Sequence, residues 1–255
     1  MSTPTVGESP PPPAISAPPR RCLALIPAFN EEGRIKPVVE AVRRASGFDV
    51  VVVNDGSRDQ TAAEAREAGA TVLTHPFNLG YGAALQTGYK YAFKRGYDVV
   101  VQLDADGQHD ASFVPVLAER ILSGQADACV GSRFLEGRGY IPPFARRVGM
   151  VLFGYIASVA TGRRVTDPTS GYQALSRQVV DFFQGNVFPA DYPDADVLIL
   201  LHRAGFRVEE LPVAMHENPS GQSMHSGVLR PLFYVFKMFL SILVTLLRDP
   251  PRRPR

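Results

Sequence analysis

Val99-Val100-Val101-Gln102-Leu103-Asp104-Ala105-Asp106-Gly107-Gln108 is the stretch whose reading decides the fold. A β-branched, apolar run of this length is too short for a globular helix and ends at once in a turn signal, so it reads as a buried strand. Side chains two apart in an extended chain project to the same side. Asp104 and Asp106 therefore reach one point just past the strand's carboxyl end, where open α/β sheets place their ligands. Two carboxylates this close repel each other unless a cation sits between them. The natural occupant is a hard divalent ion with oxygen ligands, which would also hold a phosphate-bearing substrate. A solvated, Asp-rich turn is the competing reading, and the rest of the chain has to decide.

Upstream, the chain alternates. Cys22 to Pro27 reads as a short apolar strand, followed by the polar turn Ala28-Phe29-Asn30-Glu31-Glu32-Gly33. Residues 34–46 form a helix with Ile35, Val38, Val39 and Val42 at helical spacing. Asp49 to Val53 is the next strand and ends in Asn54-Asp55-Gly56-Ser57; Asp59 or Ser57 caps the alanine-rich helix 60–68. A strand at Thr71–Thr74, the turn His75-Pro76-Phe77-Asn78-Leu79-Gly80 and a helix over about 82–94 complete the approach. Strands alternating with helices imply a mainly parallel sheet with right-handed crossovers. Its polar turns fall on one edge and gather Asn30, Glu31, Asp55, Ser57, Asp104 and Asp106, and acidic groups crowded on one rim argue for a site.

Downstream come a helix at 111–122 and a strand from Ala126 to Val130 leading into Gly131-Ser132-Arg133. A Gly-, Pro- and Arg-rich stretch, 134–147, reads as a mobile loop, and 148–161 as an apolar helix. The turn Asp167-Pro168-Thr169-Ser170-Gly171-Tyr172 precedes a helix at 176–184. Asp191 to Asp196 open a further helix to about 203, residues 206–214 read as a strand, and 215–227 have no periodicity. The domain division is a proline-rich, disordered leader over 1–20, one α/β domain over 21–227, and a helix with a basic tail over 228–255.

In that last helix Arg230, Lys237, Ser241, Thr245 and Arg248 fall within a stripe of roughly 80° and the remainder is apolar. A spanning helix needs about 18–20 apolar residues with few charges, and Lys237 sits mid-helix. The pattern predicts an amphipathic helix lying in a membrane interface with its arginines near anionic headgroups. Burial against the domain, in a homo-oligomer or against an integral-membrane partner is the alternative.

The formal charge of +2 is too small to imply a nucleic-acid partner. Cys22 and Cys129 both lie in apolar runs and read as buried hydrophobes rather than a disulfide, consistent with a reducing compartment. No signal peptide is read at the N-terminus. The expected location is cytoplasmic, peripheral at the inner face of the membrane.

Together, Ile26-Pro27-Ala28-Phe29-Asn30-Glu31-Glu32, Val53-Asn54-Asp55-Gly56-Ser57, Asn78-Leu79-Gly80, Asp104-Ala105-Asp106-Gly107-Gln108, Gly131-Ser132-Arg133 and Asp167-Pro168-Thr169-Ser170-Gly171-Tyr172 resemble the family 2 inverting glycosyltransferases of the GT-A (Rossmann-like) fold. The likeness is strongest to polyprenyl-phosphate sugar transferases of the dolichol-phosphate mannose and glucose synthase type. It implies an enzyme moving a hexose from a UDP- or GDP-sugar to a polyprenyl phosphate with Mg²⁺ or Mn²⁺. Pro27, Ala28, Asn30, Glu31, Asp55, Ser57, Asn78, Gly80, Asp104, Ala105, Asp106 and Arg133 would bind the nucleotide-sugar. Asp55 would accept hydrogen bonds from base or ribose. Asp104, Asp106 and Gln108 would hold the metal against the diphosphate, whose charge grows as the sugar–oxygen bond breaks.

Arg133, with Arg146 or Arg147, would grip phosphate, including that of the acceptor, because a guanidinium fork matches phosphate oxygens. A lipid phosphate is already an anion and needs no strong base. A saccharide hydroxyl, as in cell-surface polysaccharide synthesis, does need one; Asp194 and Asp196 are the candidates, with simple helix capping as their other reading. The loop after the last strand matches the family at Gly221 and Ser223 but carries Asn218 where an arginine is expected, which leaves His216 or His225 to substitute. A non-catalytic sugar-nucleotide binder and a nucleotidyltransferase are weaker fits. A Rossmann dehydrogenase is disfavoured because no Gly-x-Gly-x-x-Gly follows the first strand.

Overall fold

The computed structural model describes residues 20–135, 144–185, 188–189, 193–216 and 229–248. Its centre is a seven-stranded sheet in the order β3-β2-β1-β4-β6-β5-β7. The strands are β1 (Cys22–Ala28), β2 (Asp49–Asn54), β3 (Thr71–Thr74), β4 (Val99–Gln102), β5 (Ala128–Ser132), β6 (Gln173–Ser176) and β7 (Val208–Pro212). β1 pairs in parallel with β2 and β4, β2 with β3, and β5 with β7. β6 runs antiparallel to both β4 and β5. The sheet is therefore mainly parallel, as the alternation implies. The sequence reading does not find β6, whose four residues Gln173-Ala174-Leu175-Ser176 are too short to show a period. The reversal has a functional consequence: β6 begins on the edge where its neighbours end, so Asp167–Tyr172 joins the same rim as the post-strand turns.

Helices α1 (Ile35–Ser46), α2 (Thr61–Glu67) and α4 (Phe113–Leu122) cover one face of the sheet, with Ile35, Val39, Val42, Ala65, Val114 and Leu117 in its core. α3 (Tyr81–Arg95) and α6 (Arg177–Phe183) cover the other, around Leu85, Tyr89, Val179 and Phe183. The strands alternate accordingly: Ala24 and Ile26 face the first core, Leu23 and Leu25 the second. Pro27 is tolerated in this central strand because β4 stays beside β1 only as far as Leu25–Gln102, so its missing N–H costs no ladder bond.

A third core joins α5 (Phe144–Thr161), α7 (Ala195–Arg203) and α8 (Leu229–Leu247) through Phe153, Ala157, Leu198, Ile199, Met238 and Ile242. Each fully buried aliphatic side chain here is worth about 2 kcal/mol. α5 starts earlier than its sequence suggests: Arg146 and Arg147, expected in a loop, fall in its first turn. α8 departs further from expectation. Ser241, a member of the polar stripe, donates a hydrogen bond to the carboxylate of Asp196 on α7, and Arg203 binds the carbonyls of Thr245 (3.1 Å), Leu246 (2.7 Å) and Arg248 (3.0 Å). The stripe thus turns partly toward the domain, while Phe236, Leu240, Leu243 and Leu247 stay exposed. Among the described residues, no helix is long and apolar enough to cross a membrane.

Candidate active site

The turns after β1 and β2 are stitched together. Asn30 takes a left-handed conformation (φ 55°), which lets four successive amides meet the second turn. Asn30 N–H donates to Ser57 Oγ (2.9 Å), Glu31 N–H to Thr61 Oγ1 (2.7 Å), Glu32 N–H to Asp59 Oδ2 (3.1 Å) and Gly33 N–H to Glu64 Oε2 (2.7 Å). Asn30 Oδ1 accepts from Arg58 N–H in return (3.0 Å). Pro27 and Ala28 are buried strand residues and form the floor, while Asn30 and Asn78 are exposed above it. Gly56 is required on two counts. Its φ is +72°, and a Cβ there would lie 2.5 Å from the carbonyl carbon of Phe77.

Asp55 does not stand open to a base or ribose. Oδ1 accepts the Leu79 N–H (2.9 Å) and lies 2.7 Å from His75 Nδ1, and Oδ2 accepts the Gly80 N–H (2.8 Å). It braces the Asn78–Gly80 turn, and His75, tied onward to Thr87 Oγ1 at 2.9 Å, braces Asp55. The carboxylate that the resemblance assigns to the nucleotide is thus itself held in place by three donors. The exposed large side chains around this turn are Phe29, Phe77 and Leu79.

Asp104 and Asp106 emerge from β4 as expected. The Asp104 side chain is 35% exposed. Its Oδ1 accepts from the Tyr81 hydroxyl (2.9 Å), and its backbone N–H donates to His109 Nδ1 (3.0 Å). Burial, with the nearby carboxylates of Asp104 and Asp194, pushes the Tyr81 phenol well above its ordinary pKa, so it remains a donor. Gly171 permits this packing: a Cβ there would meet the Tyr81 hydroxyl at 3.0 Å and the Asp104 carboxylate at 3.1 Å. Gln108 folds back on Asp106, its N–H reaching Oδ1 (3.0 Å) and its side-chain amide bonding Oδ2. Ala105 between them is buried. Glu31 belongs to the same field. Burial raises its carboxyl pKa, Arg34 (2.8 Å) pulls it back, and Asp106 and Asp104 add to the rise.

The chemistry of these donors fits Mg²⁺ or Mn²⁺. Two carboxylates and one amide on a single turn form an all-oxygen set, partly exposed toward the rim. Among the described residues, no three His, Cys, Asp or Glu side chains are grouped to hold an ion unaided. Mg²⁺ takes one or two carboxylates and completes its shell with water and substrate phosphates.

Arg133 and Asp196, two further expected site residues, are engaged within the protein. Arg133 is engaged within the protein: Nε lies 2.6 Å from Asp167 Oδ2, Nη2 lies 2.6 Å from Oδ1, and Nη2 also donates to Thr169 Oγ1 (3.0 Å). Asp167 is fully buried, and Glu210 accepts its N–H and that of Thr166, both at 2.9 Å. The guanidinium fork anchors the segment entering β6. Asp196 is also fully buried. Burial pushes its carboxyl pKa up; its Oδ1 accepts from the amides of Asp194 (3.0 Å) and Val197 (2.9 Å), and Oδ2 from Ser241. It joins two helices and has no exposed surface. Asp194 makes no side-chain cap on α7 and lies within electrostatic reach of Tyr81, on the site side. Gly221, Ser223, His225 and Asn218 lie outside the described residues. His216 is described: its N–H donates to Gln108 O (2.8 Å), tying the segment after β7 to the Asp104–Gln108 turn.

His75, Tyr81 and His109 carry no role in the sequence expectations, whereas Tyr172 closes the quoted Asp167–Tyr172 motif. His75 and His109 adjoin recognised motifs, which was the one available signal. Tyr81 is silent in sequence because its partner lies 23 residues away.

Comparison with known proteins agrees with this geometry. Residues 24–183 match the model of glycosyl transferase family 2. The chain is 32% identical to polyprenol monophosphomannose synthase of Mycolicibacterium smegmatis, over 84% of each chain. It is 31% identical to undecaprenyl-phosphate mannosyltransferase of Micrococcus luteus, over 81% of this chain and 88% of that one. Among solved structures it is similar to glucosyl-3-phosphoglycerate synthase from Mycobacterium tuberculosis in complex with Mn²⁺, UDP and phosphoglyceric acid. The TM-score is 0.67 at 22% identity, covering 90% of this chain and 79% of that one, a likeness of fold. The chain is a glycosyltransferase of family 2.

Proposed function

We propose that the protein transfers a hexose from a UDP- or GDP-sugar to a polyprenyl phosphate, with inversion and with a divalent cation at Asp104, Asp106 and Gln108. The observation carrying this reading is the Asp104–Asp106–Gln108 turn, an oxygen-donor set braced by Tyr81 and His109 at the carboxyl edge of a parallel sheet. Similarity to two lipid-phosphate mannosyltransferases supports the acceptor class.

In this reading a phosphate oxygen of the acceptor attacks the anomeric carbon. The bond to the nucleoside diphosphate breaks, and the diphosphate leaves with the electron pair. No proton has to be removed, so no base is needed. The cation, when bound, neutralises charge growing on the leaving diphosphate. The stitched turns of Asn30–Gly33 and Ser57–Thr61 shape the nucleoside side of the site. Arg133 contributes by holding Asp167–Thr169, and the acceptor phosphate is assigned to Arg146 or Arg147 by the family resemblance. Were the acceptor a saccharide hydroxyl, Asp194 would be the remaining base.

The exposed apolar residues of α5 (Val151, Tyr155, Val159) and α8 (Phe236, Leu240, Leu243) support contact with a bilayer surface. The two helices meet at Phe153 and Phe239, whose ring centroids are 5.5 Å apart. Incubation with Mn²⁺, a panel of UDP- and GDP-hexoses and polyprenyl phosphate in vesicles tests the assignment. A glycosylated lipid that requires the lipid phosphate is expected; donor turnover indifferent to the lipid would refute it.

A further inference from the structure

The turn that carries the metal donors is held from three sides, and one side chain stands at the junction. His109 is buried, with its side chain 2% exposed. Its Nδ1 accepts the Asp104 N–H at 3.0 Å, closing the turn Asp104–His109 upon itself. That bond settles the tautomer: Nδ1 carries no proton, so the ring N–H is on Nε2. Nε2 lies 3.9 Å from Asp104 Oδ2, which places the N–H pole beside the carboxylate without a direct hydrogen bond. The ring stacks on Tyr172, with centroids 4.7 Å apart and planes 24° apart, and the Tyr172 hydroxyl donates to Asp110 O at 2.9 Å. The backbone of His109 forms a β-bridge with Met215, beside the bond from His216 N–H to Gln108 O. The same residue thus meets Asp104, the segment entering β6 and the segment leaving β7.

We infer that His109 is a positioning residue of the metal site: its Nδ1 lone pair fixes the Asp104 backbone, and so the directions in which Asp104, Asp106 and Gln108 present their oxygens. The inference rests on the proposed cation site. A side chain outside the ligand set that orients the ligands commonly changes metal affinity by about 10–100-fold. The acceptor atom, rather than ring volume, is the determinant. His109→Phe keeps the ring and its stack on Tyr172 but leaves the Asp104 N–H without its acceptor. His109→Asn loses the ring but places an amide oxygen close to the position of Nδ1.

Mn²⁺ affinity, read by electron paramagnetic resonance with Mn²⁺ alone and then with UDP or GDP, separates these variants, with thermal melting recorded beside it. His109→Phe is expected to weaken Mn²⁺ binding about tenfold or more, and His109→Asn to stay within about threefold of the parent. Parent-like affinity in His109→Phe would overturn the inference. So would an equal loss in a folded His109→Asn, which would make the ring and not the acceptor the determinant. If His109→Phe fails to fold, His109→Leu, which also lacks the acceptor, takes its place, with the same loss expected and parent-like affinity again overturning the inference. Asp106→Ala is the control that separates the two readings. If it binds Mn²⁺ as the parent does, the cation site itself is wrong; if it loses Mn²⁺ while His109→Phe does not, only the role of His109 is wrong.

Discussion

The rim formed by the turns after β1, β2, β3 and β4 differs in kind from the helical layer of α5, α7 and α8. The rim is held by directional bonds between polar groups of different turns: four amides of Asn30–Gly33 on side chains of Ser57–Glu64, and three donors on Asp55. The helical layer is held mainly by apolar contact around Phe153, Leu198, Met238 and Ile242, with polar bonds such as Asp196–Ser241 and those of Arg203 to the end of α8. It also leaves large apolar side chains outside: Tyr155 is 69% and Leu243 52% exposed. A rim of mutually bonded turns keeps its geometry before a ligand arrives, as electrostatic stabilisation of a transition state demands. A layer with an apolar exterior needs another apolar surface to complete it.

Substitutions on the two sides test this contrast. Asp55→Ala removes a buried acceptor from three donors and is expected to cost about 3 kcal/mol, since each buried group left unpaired costs about 1–3 kcal/mol. The melting temperature should fall by roughly 6–12 °C. A melt within ~2 °C of the parent would show that the rim is not the stiff element described. On the other side, Leu240→Glu with Leu243→Glu should change stability by less than about 0.5 kcal/mol each, because both side chains are exposed. The same pair should abolish flotation of the full chain with vesicles of anionic lipid. Flotation equal to the parent's would remove α8 from the membrane contact; a large loss of stability would show that its outer face is already covered.

The contrast also explains what could be read from the chain. Rim residues are polar groups at the ends of apolar runs, and such discontinuities are visible in one dimension; Asp104–Asp106 and Asn54–Ser57 were placed at their strand ends on that basis. What each residue does there depends on partners remote in sequence. The donors that hold Asp55, at 75, 79 and 80, are brought to it only by β3 and leave no mark in the local sequence. Arg133 has Asp167 as its partner, and that pairing needs the antiparallel return of β6, a strand too short to announce itself. In α8 the apolar positions do not say which face is covered. Ser241 reads as part of a water-facing stripe until α7 places Asp196 against it. Asp194 and Asp196 were equivalent as candidate bases, and only burial separates them.

The central claim is that the turn after β4 holds a divalent cation on which sugar transfer depends. The direct measurement is transfer by Asp106→Ala compared with the parent, across a Mn²⁺ titration and with the melting temperature recorded for both. The account predicts an unchanged melt, because Asp106 is partly exposed and its hydrogen-bond partner is the neighbouring Gln108. It predicts a rate lower by roughly a hundredfold or more, equivalent to about 3 kcal/mol of lost charge stabilisation. Parent-like transfer by a folded Asp106→Ala, or transfer by the parent unaffected by chelation of divalent cations, would contradict it.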